Sequence, residues 1–225
     1  MRYYPIFLNL KNRRVVVVGG GAVAERKTAS LLKAGAEVTV VSPEMTPRLA
    51  AWADKNKIVA VHRPYRRGDL KRAVLAFAAT DNPRVNQAVA RESIQKKIWV
   101  NVADRSAPAD FILPALYAKG GLVIAVSTGA QSPALAKAIR DDLKKRFPAG
   151  SPSAAKELAR LKKALIEKKA PPALRKEILT RLARFDGEGL SRREREKGWG
   201  RLLKEAGLKG IDPKALFSFV FGSSG

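Results

Sequence analysis

Val15-Val16-Val17-Val18-Gly19-Gly20-Gly21-Ala22-Val23-Ala24-Glu25-Arg26-Lys27 is the stretch whose reading decides the fold. Four β-branched residues in a row describe a strand buried on both faces, as in a parallel sheet. The strand runs into Gly19-x-Gly21-x-x-Ala24, and a helix-forming run to Ala34 follows. This is the strand–turn–helix of a dinucleotide site, with Ala in the third small position. Gly19 allows the tight turn, Gly21 lets backbone approach a pyrophosphate, and Ala24 keeps helix and strand close. The helix start then offers N–H groups and a positive dipole end to phosphate. A glycine pattern alone is weak. Its order here, strand then glycines then helix, with a second strand at Glu37–Val41, is what carries the reading.

Outward from this stretch the chain keeps alternating. Further strands are expected at Ile58–His62, Val74–Ala78 and Ile98–Val102, with helices at Pro43–Lys57 and Pro83–Gln95 and a short helix after the basic loop 63–69. Asp81 and Asn82 are candidate caps for the second of these helices, whose first residue is proline. The rhythm predicts an α/β fold with a Rossmann-like, doubly wound parallel sheet, whose ligand crevice lies at the carboxyl ends of the strands. Phe111–Leu113 and Leu122–Ser127 read as additional strands, and Ser132-Pro133 opens a helix to about Phe147. Pro148–Ser153 reads as a linker. Beyond it helices are expected over Ser153–Lys169, Pro172–Phe185, Ser191–Glu205 and Pro213–Phe219. The expected division is a dinucleotide-binding domain over 1–113, a dimerisation segment over 114–150 and a helical C-terminal domain over 151–225.

Composition narrows the function classes. The 225 residues include no cysteine, so disulfides, thiolate metal sites and cysteine nucleophiles are excluded. The single histidine, His62, ends an outer strand, and no His/Asp/Glu spacing resembles a metal cage. No apolar run reaches membrane-spanning length, and the start MRYYPIFLNL does not read as a signal peptide, so no membrane association and a cytoplasmic location are expected. The formal charge of +24 is spread along the chain and points to an anionic partner. A nucleic-acid-binding or sensory protein on a dinucleotide fold is the alternative to an enzyme. The tail carries little aromatic interleaving and no known nucleic-acid motif, which makes nucleic acid the weaker reading.

Four loops should meet at the crevice: Gly19–Ala24, Ser42-Pro43-Glu44, Ala79–Asn82 and Asn101–Phe111. An acid just past the second strand takes ribose hydroxyls in NAD sites, and an arginine there takes a 2′-phosphate. Ser42 holds the usual place, Glu44 follows two residues later, and no arginine is adjacent, which favours NAD over NADP. A first-turn helix acid explains Glu44 equally. Thr80 and Asp81 suit the nicotinamide half, although helix capping also accounts for Asp81. Asp104 is the candidate general base, able to accept a proton as a hydride leaves the same substrate. An ion pair with Arg105 or a plain turn acid is its alternative role.

These residues also match a family. The pieces are Pro5-Ile6-Phe7, Val18-Gly19-Gly20-Gly21-x-Val23-Ala24-Glu25-Arg26-Lys27, Ala78-Ala79-Thr80-Asp81, Val85-Asn86, Asn101-Val102-x-Asp104, Phe111-Ile112-x-Pro114-Ala115 and Ala125-Val126-Ser127-x-Gly129-x-x-Ser132-Pro133. Over residues 3 to about 147 the chain resembles the precorrin-2 dehydrogenases of siroheme biosynthesis, including the N-terminal part of the multifunctional siroheme synthase. The resemblance implies NAD-dependent oxidation of precorrin-2 to sirohydrochlorin, with Asp104 as the catalytic aspartate and with Ala22, Val23, Pro43 and Glu44 contacting NAD. It also implies an intertwined homodimer. In some members it implies ferrochelatase activity, iron insertion in the same cleft using the same aspartate. Thr128 stands where the multifunctional enzyme has a serine. Its large methylating domain has no counterpart here, so no methyltransferase activity is expected. A tetrapyrrole rich in carboxylates would give Arg63, Arg66, Arg67 and Arg105 a reason to crowd the cleft.

Overall fold

The computed structural model describes residues 2–104, 107–119, 122–146, 159–163, 165–167, 169, 171–183 and 197. The chain forms two compact units, Met1–Leu113 and Pro114–Gly225.

The first unit is built on five strands: β1 (Arg14–Val18), β2 (Glu37–Val41), β3 (Val59–Val61), β4 (Leu75–Ala78) and β5 (Trp99–Val102). They are all parallel, in the order β3-β2-β1-β4-β5. Three helices connect them: α1 (Ala22–Lys33), α2 (Pro47–Asp54) and α3 (Pro83–Gln95). Alternate residues of β1 serve opposite cores, as a sheet covered on both faces requires. Val15 and Val17 pack with Ala24 and Leu31 of α1 and Leu49 of α2. Val16 and Val18 pack with Val89 and Ala90 of α3 and with Leu70. The chain runs outward from β1 to β3 and then crosses back to β4. The switch point therefore falls between β1 and β4, where this class of sheet opens a crevice.

Three expectations need correction here. The helix expected over Pro43–Lys57 is shorter. Thr46 caps it by accepting from the Leu49 N–H, and Pro47 takes its first turn. Residues 43–45 are instead held out of the helix by the glycine loop, because the Thr46 N–H donates to the Gly20 carbonyl. The short helix expected after residue 69 is a set of turns. Phe111–Leu113 is not a strand. The Phe111 carbonyl accepts from the Asn101 side chain, and its ring stacks edge-on against Phe77.

The second unit contains an antiparallel hairpin, β6 (Ala115–Lys119) with β7 (Leu122–Val126), and the helix α4 (Pro133–Arg146). Ser132 caps α4 by accepting from the Leu135 N–H. Tyr117 is buried, while Leu116, Ala118, Val123 and Ala125 are exposed together on the other face of the hairpin. Residues 159–163 and 165–167 are helical, and a helix spans Pro172–Ala183. The expected helices over 191–205 and 213–219, and the linker 148–153, lie outside the described residues apart from residue 197.

Candidate functional site

Pairing lays the carboxyl ends of the strands level: Val18 beside Val41 and Ala78, and Ala78 beside Val102. Hydrogen bonds then carry this alignment into the loops. The Gly19 N–H donates to Val41, Ala79 to Val18, and Ala103 to Ala78. The loops holding Ser42–Glu44, Gly19–Gly21, Thr80–Asp81 and Asp104 thus emerge from one edge of the sheet in that spatial order. The residues expected to contact NAD, and Asp104, are all on this edge.

The three glycines do different things. Gly19 has φ +120°, and an added Cβ would lie 2.3 Å from the Ala79 carbonyl oxygen. Gly20 is required by space alone, since a Cβ there would lie 1.9 Å from the Glu44 carbonyl oxygen. This role was not read from the sequence; a third glycine between the two pattern positions was the available signal. Gly21 has nothing within 4 Å of its Cβ position. It is also the N-cap of α1, which no side chain caps. An open cradle over uncapped N–H groups at a helix start fits a pyrophosphate. Ala22 and Val23 are exposed in the first turn beside it, and Ala24 is fully buried against the sheet. Across the loop, Ser42 is buried, while Pro43 and Glu44 are exposed.

On the other side, Asn82 caps α3 by accepting from the Arg84 N–H, leaving Asp81 exposed and outside that role. Asp104 is exposed, and its Oδ2 accepts from Asn86 Nδ2 at 2.9 Å. Asn86 is itself fully buried and bonded to Thr80. The base of the Asp104 loop is clipped to β5. Asp110 accepts from and donates to Val100, and Asn101 donates to Phe111.

A buried lysine supports the same segment. Lys27 donates to Asn101 Oδ1 at 2.7 Å, with its Nζ 5.1 Å from the Phe77 ring centre. Burial, and secondarily the Arg26 charge, pushes its pKa down from 10.5 to about 8. Lys27 and Asn86 were not read as site residues. Their signal was a polar residue on a buried helical stripe: Ala24-Lys27-Thr28-Leu31 on α1 and Asn86-Val89-Ala90-Ser93 on α3.

The basic loop does not crowd this edge. Arg63 is committed to Asp69 through two hydrogen bonds of 2.8 and 2.7 Å, and the guanidinium holds the Asp69 carboxyl below its usual range. Arg67 donates to Gln95, the last residue of α3, at the end of that helix remote from Asn86. The reason is the crossover itself, which carries residues 63–73 from the carboxyl end of β3 to the amino end of β4. Arg66 is exposed on this crossover, and Arg105 lies outside the described residues. His62 is exposed at the end of β3. In the second unit, Thr128 accepts from the Ser132 N–H and donates to its carbonyl, closing the turn before α4. Among the described residues no three His, Cys, Asp or Glu side chains gather as metal ligands, and no helix is long and apolar enough to cross a membrane.

Known proteins share this architecture. Residues 6–115 match the family described as putative NAD(P)-binding. The siroheme synthase of Nitrosococcus oceani is 42% identical over 148 residues, which are 66% of this chain and 32% of that protein. A siroheme synthase of Escherichia coli is 40% identical over 148 residues, with the same shares. The solved structure described as SirC, precorrin-2 dehydrogenase, is 27% identical, with a TM-score of 0.74, covering 90% of this chain and 100% of that one. The chain spans about a third of the length of the curated relatives it matches.

Proposed function

We propose that the chain is a member of the family of the precorrin-2 dehydrogenases and the N-terminal parts of the siroheme synthases, to which it is similar, and that it oxidises precorrin-2 to sirohydrochlorin with NAD. The observation that carries this reading is the single sheet edge on which the open cradle at Gly21 and the Asp104 carboxylate both lie.

When bound, NAD supplies the hydride acceptor. The N–H groups of Ala22 and Val23 and the cradle at Gly21 would hold its pyrophosphate. Ser42, Pro43 and Glu44, past β2, would face its adenosine ribose, and no arginine is adjacent to them in sequence to select a 2′-phosphate. Thr80 and Asp81, past β4, would line the nicotinamide half. Asp104, past β5, accepts the proton that the substrate loses as the hydride departs. The reaction thus removes one hydride and one proton per turnover. Calorimetric titration with NAD and absorbance of NADH formed from precorrin-2 test the two halves separately. Absence of NADH formation under conditions where an authentic dehydrogenase works would overturn the reading.

The active species is a homodimer in the cytoplasm. Leu116 and Val123 are 49% and 44% exposed on the open face of the hairpin, and Leu135 of α4 is 52% exposed. A second copy would cover these side chains through a symmetric, self-complementary contact.

A further inference from the structure

Asn86 stands at the centre of the site edge and touches both loops that flank the proposed reaction centre. Its side chain is fully buried in the first half of α3, a helix fixed by the Asn82 cap. Every hydrogen-bonding position of its amide is used. Oδ1 accepts from the Thr80 hydroxyl at 2.8 Å and from the Thr80 N–H at 3.3 Å. Nδ2 donates to the Thr80 carbonyl at 3.0 Å and to Asp104 Oδ2 at 2.9 Å. The set fixes the amide's orientation. A flip would turn Oδ1 toward the Asp104 carboxylate and the Thr80 carbonyl, both acceptors, and Nδ2 toward the Thr80 N–H, a donor.

We propose that Asn86 is the positioning residue for Asp104, holding the carboxylate at a fixed place relative to the loop at Thr80. This rests on the dehydrogenase reading. Asp104 itself is exposed, on a loop clipped to the sheet at its base. A buried donor from a rigid helix is what converts such a carboxylate into a base aimed at one point. Misplacement of a reacting group by about 1 Å costs on the order of 10²-fold in rate.

The test is Asn86→Asp, which keeps the shape and the two bonds accepted from Thr80 but places an oxygen where Asp104 expects a donor. The expected result is a fall in kcat of roughly 10- to 100-fold, with NAD affinity within about threefold of wild type. In an Asp104→Ala background the same substitution should change the rate by less than about twofold, because its effect passes through Asp104. Retention of more than half the wild-type rate, or a full further loss in the Asp104→Ala background, overturns the proposal. Amide exchange of residues 102–104 gives a readout independent of turnover. It should quicken in both Asn86→Asp and Asp104→Ala, and wild-type exchange in both would overturn the proposal even if the protein proved not to be a dehydrogenase. If Asn86→Asp alone does not fold, the double variant Asn86→Asp with Asp104→Asn again sets one donor against one acceptor. That variant should recover part of the lost melting temperature, since the Thr80 carbonyl stays without its donor, and no gain over the single variant also refutes the positioning role.

Discussion

Lys27→Met isolates the cost of burying an amine beside the site. Lys27 is 9% exposed, and its pKa falls from 10.5 to about 8 on folding. Each unit is worth about 1.36 kcal/mol, so at pH 7 the protonated amine opposes folding by about 3 kcal/mol. The sign follows from proton counts. Between pH 8 and 10.5 the unfolded chain binds more protons at this site than the native one, so stability rises with pH there. By pH 10 most of the penalty is gone, and wild type should gain roughly 2–3 kcal/mol relative to the methionine variant between pH 7 and 10. Methionine removes the penalty but leaves Asn101 Oδ1 without its 2.7 Å donor, a loss of about 1–3 kcal/mol. The two nearly cancel at pH 7, and the variant should be within about 2 kcal/mol of wild type there. The assay is urea unfolding at both pH values, read by the fluorescence of Trp52 and Trp99 in a Trp199→Phe background. Other titrating groups drop out of the difference between variants. A difference constant within about 0.5 kcal/mol from pH 7 to 10 would refute a buried, charge-penalised Lys27.

Asp104→Ala should lower kcat by about 10²–10⁴-fold while NAD affinity stays within about threefold, measured by turnover and calorimetry; more than half the rate retained would remove Asp104 from the mechanism. Gly21→Asp should fold, because its side chain enters open space, yet abolish NAD binding by placing a carboxylate in the cradle proposed for the phosphates; unchanged affinity would put the dinucleotide elsewhere. Gly20→Ala should instead lower the melting temperature by several degrees, since its methyl meets backbone at Glu44, and a wild-type melt would contradict that packing. Leu116→Asp with Val123→Asp should convert a dimer to a monomer in light scattering, and a dimer that survives both changes would place the interface off this face.

Much of the first unit was legible because its signals are local. A run of four valines, glycines at a strand end and Pro83 behind Asn82 each state an element almost by themselves. What was not legible depends on partners distant in sequence. The start of α2 is set by Gly20, because the Thr46 N–H bonds to its carbonyl, so Pro43–Met45 stay outside a helix their composition permits. Ala115–Lys119 carries helix formers and becomes a strand only through pairing with Leu122–Val126. Phe111 reads as strand by composition but is held by Asn101 and Phe77 from other strands. The basic loop was placed at the crevice from its position after β3, and only the path of the crossover shows Arg67 tied to the far end of α3. The site edge was readable from strand order, whereas the hub at Asn86 needed α3 folded against β4 and β5.

The most direct test of the central claim is the stoichiometry of turnover with precorrin-2 and NAD. The account predicts one NADH formed per sirohydrochlorin in the wild type, and loss of both products together in Asp104→Ala despite retained NAD binding. Sirohydrochlorin appearing without NADH, or NADH formation undiminished in Asp104→Ala, would contradict it.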